Sequence, residues 1–324
     1  MVRADKCRKE RNMRKRKVLG TVILLWTLIF CTACCREWKR SQDKKVTIGV
    51  ITKSSTSEYW MSLCEGMEAA AKEYGMDVII LQPDSETNKE AQIKMMNSLG
   101  KKDVDMIAIS PIDSESAIEY LEAVGQSNIP VISYDDGFDS QQIPYVGIDN
   151  EKAGYDLMKY LAEQMGHRGE VGIISGSLTQ RCHRQRIEGA KRYLEKEPEM
   201  TLAYVESGYS NLQMKEEEIN RLQEAYPEVE GVMVTSAATA MGFVDAVADK
   251  NMKIVSVDAQ TDAVEALREG KITALTAQSG YTLGYETIRY IAETKNQETE
   301  EVQKIVDVQV LTKENVDEYI QSGK

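Results

Sequence analysis

Val46-Thr47-Ile48-Gly49-Val50-Ile51, then Thr52-Lys53-Ser54-Ser55-Thr56-Ser57, then Glu58-Tyr59-Trp60-Met61, is a β-branched apolar run, a polar turn and the start of an amphipathic stretch. The first run reads as a buried strand, and 58–74 carries the 3.6-residue period of a helix. The same unit recurs along the chain. Further strands are predicted at 77–81, 106–109, 131–134, 145–148, 171–175, 201–206, 231–235, 253–257 and 272–276. Helices are predicted at 89–100, 114–125, 152–165, 180–195, 212–225 and 238–249. Ser57 and Ser114 are candidate N-caps, and Gly75 and Gly125 stand where a left-handed terminator is expected. Strands that are apolar throughout, each followed by a helix, imply parallel sheets covered on both faces. Ten strands are too many for one such sheet, and 324 residues suffice for two cores. The fold class expected is therefore α/β, with two doubly wound parallel-sheet lobes.

The chain ahead of Val46 has a different character. Arg14-Lys15-Arg16-Lys17 precedes thirteen apolar or small residues, Val18 to Phe30, and then Cys31-Thr32-Ala33-Cys34-Cys35. A basic start, a short apolar run and small residues before a cysteine form an export signal of the lipoprotein kind. The run falls short of the roughly 20 residues of a membrane-spanning helix. Residues 1–33 are read as the signal peptide, Cys34 as the lipidated residue, and 34–45 as a polar tether. An uncleaved anchor and lipidation at Cys35 are the alternatives, and Met1 and Met13 are both candidate starts. Each version puts the rest of the chain outside the cytoplasm.

Nine of the 40 Lys and Arg residues lie in the first 33 positions, but only two of the 52 Asp and Glu residues do. The chain beyond residue 33 is thus strongly acidic, which argues against a nucleic-acid partner. Past Cys35 only Cys64 and Cys182 remain, too few for a disulfide framework, and they suit buried small side chains. Cys182-His183 does not make a metal site without further ligands, and His167 is the only other histidine. No cofactor motif is present: Gly169, Gly172 and Gly176 fit neither the Walker nor the dinucleotide spacing. The expectation is no metal, no cofactor and no catalytic residues.

Ligands of doubly wound sheets bind beyond the carboxyl ends of the strands. Those positions here hold Lys53 to Trp60, Asp135-Asp136-Gly137, Ser207-Gly208-Tyr209, Thr235-Ser236-Ala237, Val257-Asp258-Ala259 and Ala277-Gln278-Ser279, with Arg184 on the helix after Ser175-Gly176-Ser177. Aromatic rings, carboxylates, a guanidinium and an amide suit a sugar, whose C–H face stacks on rings while its hydroxyls bond polar groups. Plainer roles exist for each: core packing for Tyr59 and Trp60, turn or cap for Asp135, Asp258 and Ser236, and a surface ion pair for Arg184.

From Lys44 to the C-terminus the chain resembles the ribose-binding group of type I periplasmic-binding-protein sugar receptors. Several ordered motifs carry the resemblance: Ser57-Glu58-Tyr59-Trp60, Asn128-Ile129-Pro130-Val131-Ile132-Ser133-Tyr134-Asp135, Val146-Gly147-Ile148-Asp149-Asn150, Arg184-Gln185-Arg186-Ile187-Glu188-Gly189, Val255-Ser256-Val257-Asp258 and Thr276-Ala277-Gln278. It implies ligand contacts from Ser57, Tyr59, Trp60, Asp135, Asp136, Arg184, Tyr209, Ser236, Asp258 and Gln278, with Lys53 as a further candidate. Two departures stand out. Ser236-Ala237 replaces an amide-acid pair, and Asp136 stands where ribose receptors often carry arginine. The added carboxylate points to an amino sugar, a polyol or another donor-rich ligand.

The resemblance further implies a three-crossing hinge near Asp149, Gln278 and Asp307. The N-terminal lobe is then 46–149 plus 279–306, and the C-terminal lobe 150–278 plus 307–324. The implied protein is a monomeric, lipid-anchored solute-binding protein on the outer face of the cell membrane, serving an ABC permease and its ATPase. A receptor that presents its closed state to a membrane sensor kinase is the alternative.

Overall fold

The computed structural model describes residues 45–125, 128–140, 142–208, 214–247, 252–295 and 302–321. The first lobe begins β1 Thr47–Ile51, α1 Glu58–Glu73, β2 Asp77–Leu81, α2 Lys89–Leu99, β3 Met106–Ile109, α3 Ala117–Val124, β4 Val131–Tyr134 and β5 Tyr145–Gly147. The second contains α4 Asn150–Gln164, β6 Gly169–Ile174, α5 Arg181–Leu194, β7 Met200–Glu206, α6 Glu216–Ala225, β8 Val229–Val234, α7 Ala237–Ala246, β9 Lys253–Val257, α8 Thr261–Glu269 and β10 Ala274–Thr276. The chain then supplies α9 Gly280–Lys295 and β11 Gln303–Ile305 to the first lobe, and β12 Val310–Leu311 and α10 Val316–Gln321 to the second.

Each lobe is built on one six-stranded sheet. The orders are β11-β5-β4-β3-β1-β2 and β12-β10-β9-β8-β6-β7. All neighbours run parallel except β10 and β12. Adding five to each strand number from β1 to β5 turns the first order into the second, so the lobes repeat a topology that no sequence repeat announces. Both sheets change winding direction beside their first strand, which leaves a crevice at the strand ends there.

Apolar strands bury both faces. In the first lobe Ile48, Val50 and Ala108 pack under α1 and α9 with Trp60, Leu63 and Leu283, while Ile51, Ile107 and Ile109 pack under α2 and α3 with Met96, Leu99 and Tyr120. In the second, Val171, Ile173 and Val255 meet α4 and α5 through Leu157, Leu161 and Ile187, and Val232, Val234 and Ile254 meet α6 to α8 through Leu222, Phe243 and Leu267.

The helices α4 and α5 cross at van der Waals contact of their backbones. A methyl on Gly154 would collide with the carbonyl oxygen of Arg186, and one on Gly189 with that of Glu151. Backbone cannot step aside as a side chain can, so Gly154→Ala must push α5 outward. It is expected to cost about 2 kcal/mol or more by overpacking and to lower the denaturant midpoint. An unchanged midpoint would show that the helix contact yields freely.

Chain boundaries differ from the sequence expectation in places with local causes. The helix expected from Ser114 starts at Ala117, because the Ser114 hydroxyl accepts the Arg181 N–H (2.9 Å) from the other lobe. β11 and β12 escaped prediction because three and two residues are too short to show a period.

Candidate functional site

A cleft of about 500 Å³, the solvent at its mouth included, lies between the strand ends of the two lobes. Lys53, Ser57, Tyr59, Trp60, Glu86 and Asp135 line it from the first lobe. The second contributes Gln180, Cys182, His183, Arg186, Ser236, Ala238, Asp258 and Gln260.

Two aspartates hold equivalent places. Asp135 follows β4 and Asp258 follows β9, each with a left-handed backbone (φ 62° and 79°). Each donates its N–H to the next strand, Asp135 to Val146 O (2.9 Å) and Asp258 to Thr276 O (3.1 Å). A left-handed non-glycine residue is costly, and such residues gather at binding sites. Here it accompanies a carboxylate on the cleft wall from each lobe.

Asp135 accepts the Tyr59 hydroxyl at 2.6 Å, the Ser110 hydroxyl at 3.1 Å and the Gln278 amide at 3.1 Å. The Tyr59 phenol is held well above its ordinary pKa, by burial first and then by Asp135, so it stays a donor. The Gln278 amide oxygen accepts the Arg186 guanidinium (3.2 Å), and its nitrogen donates to the Tyr59 oxygen (2.5 Å). Arg186 also donates to Asn150 Oδ1 (2.8 Å) and to the Thr235 carbonyl (2.6 Å). One hydrogen-bonded chain thus runs from Arg186 in the second lobe, through Gln278 at a crossing, to Tyr59 and Asp135 in the first. Gln278 is buried behind the cleft wall, where it joins the groups that form the wall. Trp60, 3% exposed, does two jobs: its ring belongs to the first core, and its Nε1–H donates to Glu86 (2.6 Å).

Asp136 is not a cleft-lining group. Its carboxylate is 1% exposed and accepts Lys53 Nζ (3.1 Å), the Gly137 N–H (2.9 Å) and the Cys182 N–H (3.0 Å). Lys53, itself 2% exposed, also donates to Gln180 Oε1 (2.8 Å) across the lobes. Burial works to lower the Lys53 pKa, but Asp136 and then the other nearby acids outweigh it and raise it, so the ammonium is kept. The acid that replaces the expected arginine is therefore neutralised within its own lobe, and it ties that lobe to the other through the Cys182 amide. His183 is buried in the same wall of the cleft. It stacks close over Gly176 with Nδ1 2.8 Å from Thr235 Oγ1, and burial, then Arg186 and Lys53, hold its pKa well below the ordinary value.

Arg184, expected in the cleft, faces the opposite way. It donates to the Leu178 carbonyl (2.5 Å) and to both oxygens of Asp139 (2.7 and 2.6 Å), with Glu115 3.7 Å away, all near the surface. The helical period separates the two arginines: Cys182, Arg186, Gly189, Ala190 and Tyr193 share the buried face of α5, and Arg184 lies about 160° around from Arg186. That buried face was readable from Cys182, Ile187, Ala190 and Tyr193 alone. Arg184→Ala is expected to change stability by no more than about 1 kcal/mol, since exposed pairs contribute little, with the change shrinking at high salt. A larger, salt-independent loss would contradict this placement.

Of the other expected residues, Ser57 and Ser236 line the cleft at the N-caps of α1 and α7, and Ser236 Oγ donates to Thr239 Oγ1 (3.0 Å). Tyr209 and Cys34 lie outside the described residues. Sequence reading missed Arg186, Glu86, Gln180 and Gln260. Glu86 sits after β2, the strand end that went unread.

The lobes stand closed on each other. Ser114 N–H donates to Thr179 O (3.0 Å), Arg181 Nη1 to Phe138 O (3.0 Å), and Thr261 Oγ1 to Glu58 Oε1 (2.5 Å).

A family model described as the periplasmic binding protein domain matches residues 48–298. The chain belongs to that family. It is 24% identical over 274 residues to the ribose import binding protein of Bacillus subtilis, covering 82% of this chain and 88% of that one. A solute-binding protein of an ABC transporter from Actinobacillus succinogenes, solved with bound D-allose, is 25% identical with a TM-score of 0.76, over 85% of this chain and all of that one. A carbohydrate-transporter solute-binding protein from Agrobacterium radiobacter, solved with D-arabinose, has the same fold: TM-score 0.78, 24% identity, 86% of this chain and 99% of the other. The periplasmic binding proteins share two α/β lobes over a cleft, the arrangement found here. No helix among the described residues is long and apolar enough to cross a membrane.

Asp258 gives this family member a pH response. Burial first pushes its pKa up to about 6, with Asp135 and Glu86 adding to the rise and Arg186 opposing it; the Ala237 N–H also points to the carboxylate. A raised folded-state value means protonation favours the folded molecule. That contribution is complete below the ordinary 3.8 and fades as pH rises through about 6. From pH 5 to 7.5 the wild type should lose about 1–2 kcal/mol relative to Asp258→Asn, the part of the shift that lies above pH 5. Paired thermal unfolding curves measure it, and parallel curves would contradict it.

Proposed function

We propose that this protein is an extracytoplasmic solute-binding protein of an ABC importer, holding a sugar or sugar-like polar molecule without turning it over. The observation that carries the proposal is the cleft: rings of Tyr59 and Trp60 on one lobe, Arg186 and Asp258 on the other, and Gln278 joining them. A sugar between these groups bonds both lobes at once, so binding and closure are one event. Arg186 takes the role that the motif match assigns to Arg184. Asp135, Ser57 and Ser236 complete the polar contacts, and Lys53 with Asp136 serves closure. The relatives for ribose, D-allose and D-arabinose support the substrate class.

In this reading the lobes are 46–149 with 279–306 and 150–278 with 307–324, hinged where the chain crosses near Asp149, Gln278 and Asp307. Cys34 carries the lipid that keeps the monomer at the outer face of the membrane, beside its permease and ATPase. Labelling with a lipid precursor should mark the wild type and not Cys34→Ala; an equally labelled variant contradicts the anchor.

Trp60 reports the ligand directly. Titrating a panel of sugars should change tryptophan emission in the wild type and leave Trp60→Phe unchanged. Saturable change in neither protein across the panel contradicts the sugar reading.

A further inference from the structure

Two cations, Lys53 and Arg186, face four carboxylates, Glu86, Asp135, Asp136 and Asp258, in and just behind the cleft wall. Lys53 is committed to Asp136 and stands 3.7 Å from Asp135. Arg186 is turned to neutral acceptors: Asn150, the Thr235 carbonyl and Gln278. Asp135 receives three donors from its surroundings. No lysine or arginine forms an ion pair with Asp258 among the described residues; a backbone N–H is its hydrogen-bond partner, and the Arg186 charge favours its carboxylate without pairing with it. The surplus negative charge therefore gathers at Asp258, and it persists if Glu86 is left out of the count.

Closure makes this worse for an empty cleft. Asp258 belongs to the second lobe and Asp135 and Glu86 to the first, so shutting the lobes brings like charges together. Their mutual repulsion adds to the upward push on Asp258. A neutral ligand leaves the repulsion in place. A ligand cation placed between the lobes turns it into attraction, and a charge-assisted bond in a site withdrawn from water is about twice as strong as a neutral one.

Building on the sugar-binding reading, we infer that the cleft selects an aminated sugar or polyol, with Asp258 as the specificity-determining carboxylate for its ammonium. Asp136, the acid whose place in the sequence points to such a ligand, has no part in this, because Lys53 neutralises it.

The test is calorimetric titration of the full chain in detergent at pH 7 with D-glucosamine, D-galactosamine and D-mannosamine, each beside its neutral parent and its N-acetyl derivative. At least one amine should bind about tenfold or more tightly than its parent, a difference of about 1.4 kcal/mol. N-acetylation should remove the preference. In Asp258→Asn the ratio should fall to about twofold or less, whereas a merely structural role for Asp258 would weaken amine and parent alike. Tighter binding of the parents overturns the inference and leaves the sugar reading standing. Binding by no member of the three series overturns the inference, and titration with ribose, D-allose and D-arabinose then decides the sugar reading separately.

Discussion

Arg186→Ala is expected to weaken ligand binding about a hundredfold or more, because it removes a charge-assisted donor and unpairs its buried neighbours. The guanidinium is 4% exposed and holds Asn150, the Thr235 carbonyl and Gln278 in place. Its loss leaves those acceptors without a donor, at about 1–3 kcal/mol each where no water enters. Gln278 is then free to rotate, and the Tyr59 and Asp135 contacts it sets go with it. Arg186→Lys should rescue little, since one ammonium cannot span three acceptors that a planar fork reaches. Calorimetry on both variants measures this; Arg184→Ala, which removes only an exposed pair between the lobes with Asp139, is expected to shift affinity by less than about tenfold. Wild-type affinity in Arg186→Ala would remove Arg186 from the site.

The second large effect concerns closure. Lys53→Met leaves Asp136 charged and buried, and Asp136→Leu does the same to Lys53, so each is expected to cost about 3–5 kcal/mol. The double variant, Lys53→Met with Asp136→Leu, leaves neither member of the pair buried alone and should recover part of that loss, although Asp135 loses its nearest cation, Gln180 loses the Lys53 donor, and the Cys182 and Gly137 amides still lack their acceptor. Denaturant unfolding of the four proteins gives the coupling, and additive losses would show that the pair acts separately.

Much of this was legible in the sequence because α/β folding writes its strands as apolar runs. The strands 77–81, 106–109, 131–134 and 253–257 occur at the limits that their composition marks. The strand-end rule picks out Tyr59, Trp60, Asp135, Ser236 and Asp258, all of which line the cleft, since a strand's end fixes where its next residue points. Arg184 failed for a different reason. A motif match gave two arginines two positions apart, and only the phase of the helix against the core tells which one turns inward. Asp136 failed because its partner, Lys53, is 83 residues away in sequence and meets it only when two strand ends come together. Pairings of that kind depend on the sheet order, which one-dimensional patterning does not specify.

The measurement that bears most directly on the central claim is a thermal-shift screen of the full chain in detergent against neutral sugars, amino sugars, polyols and nucleosides. A ligand at a hundred times its dissociation constant adds about 2.7 kcal/mol to the folded state, enough to raise Tm by several degrees. The account predicts such a shift for a sugar or amino sugar, lost in Arg186→Ala and retained in Arg184→Ala. A well-folded protein that no sugar-like compound shifts, or an Arg186→Ala variant that shifts as the wild type does, would contradict it.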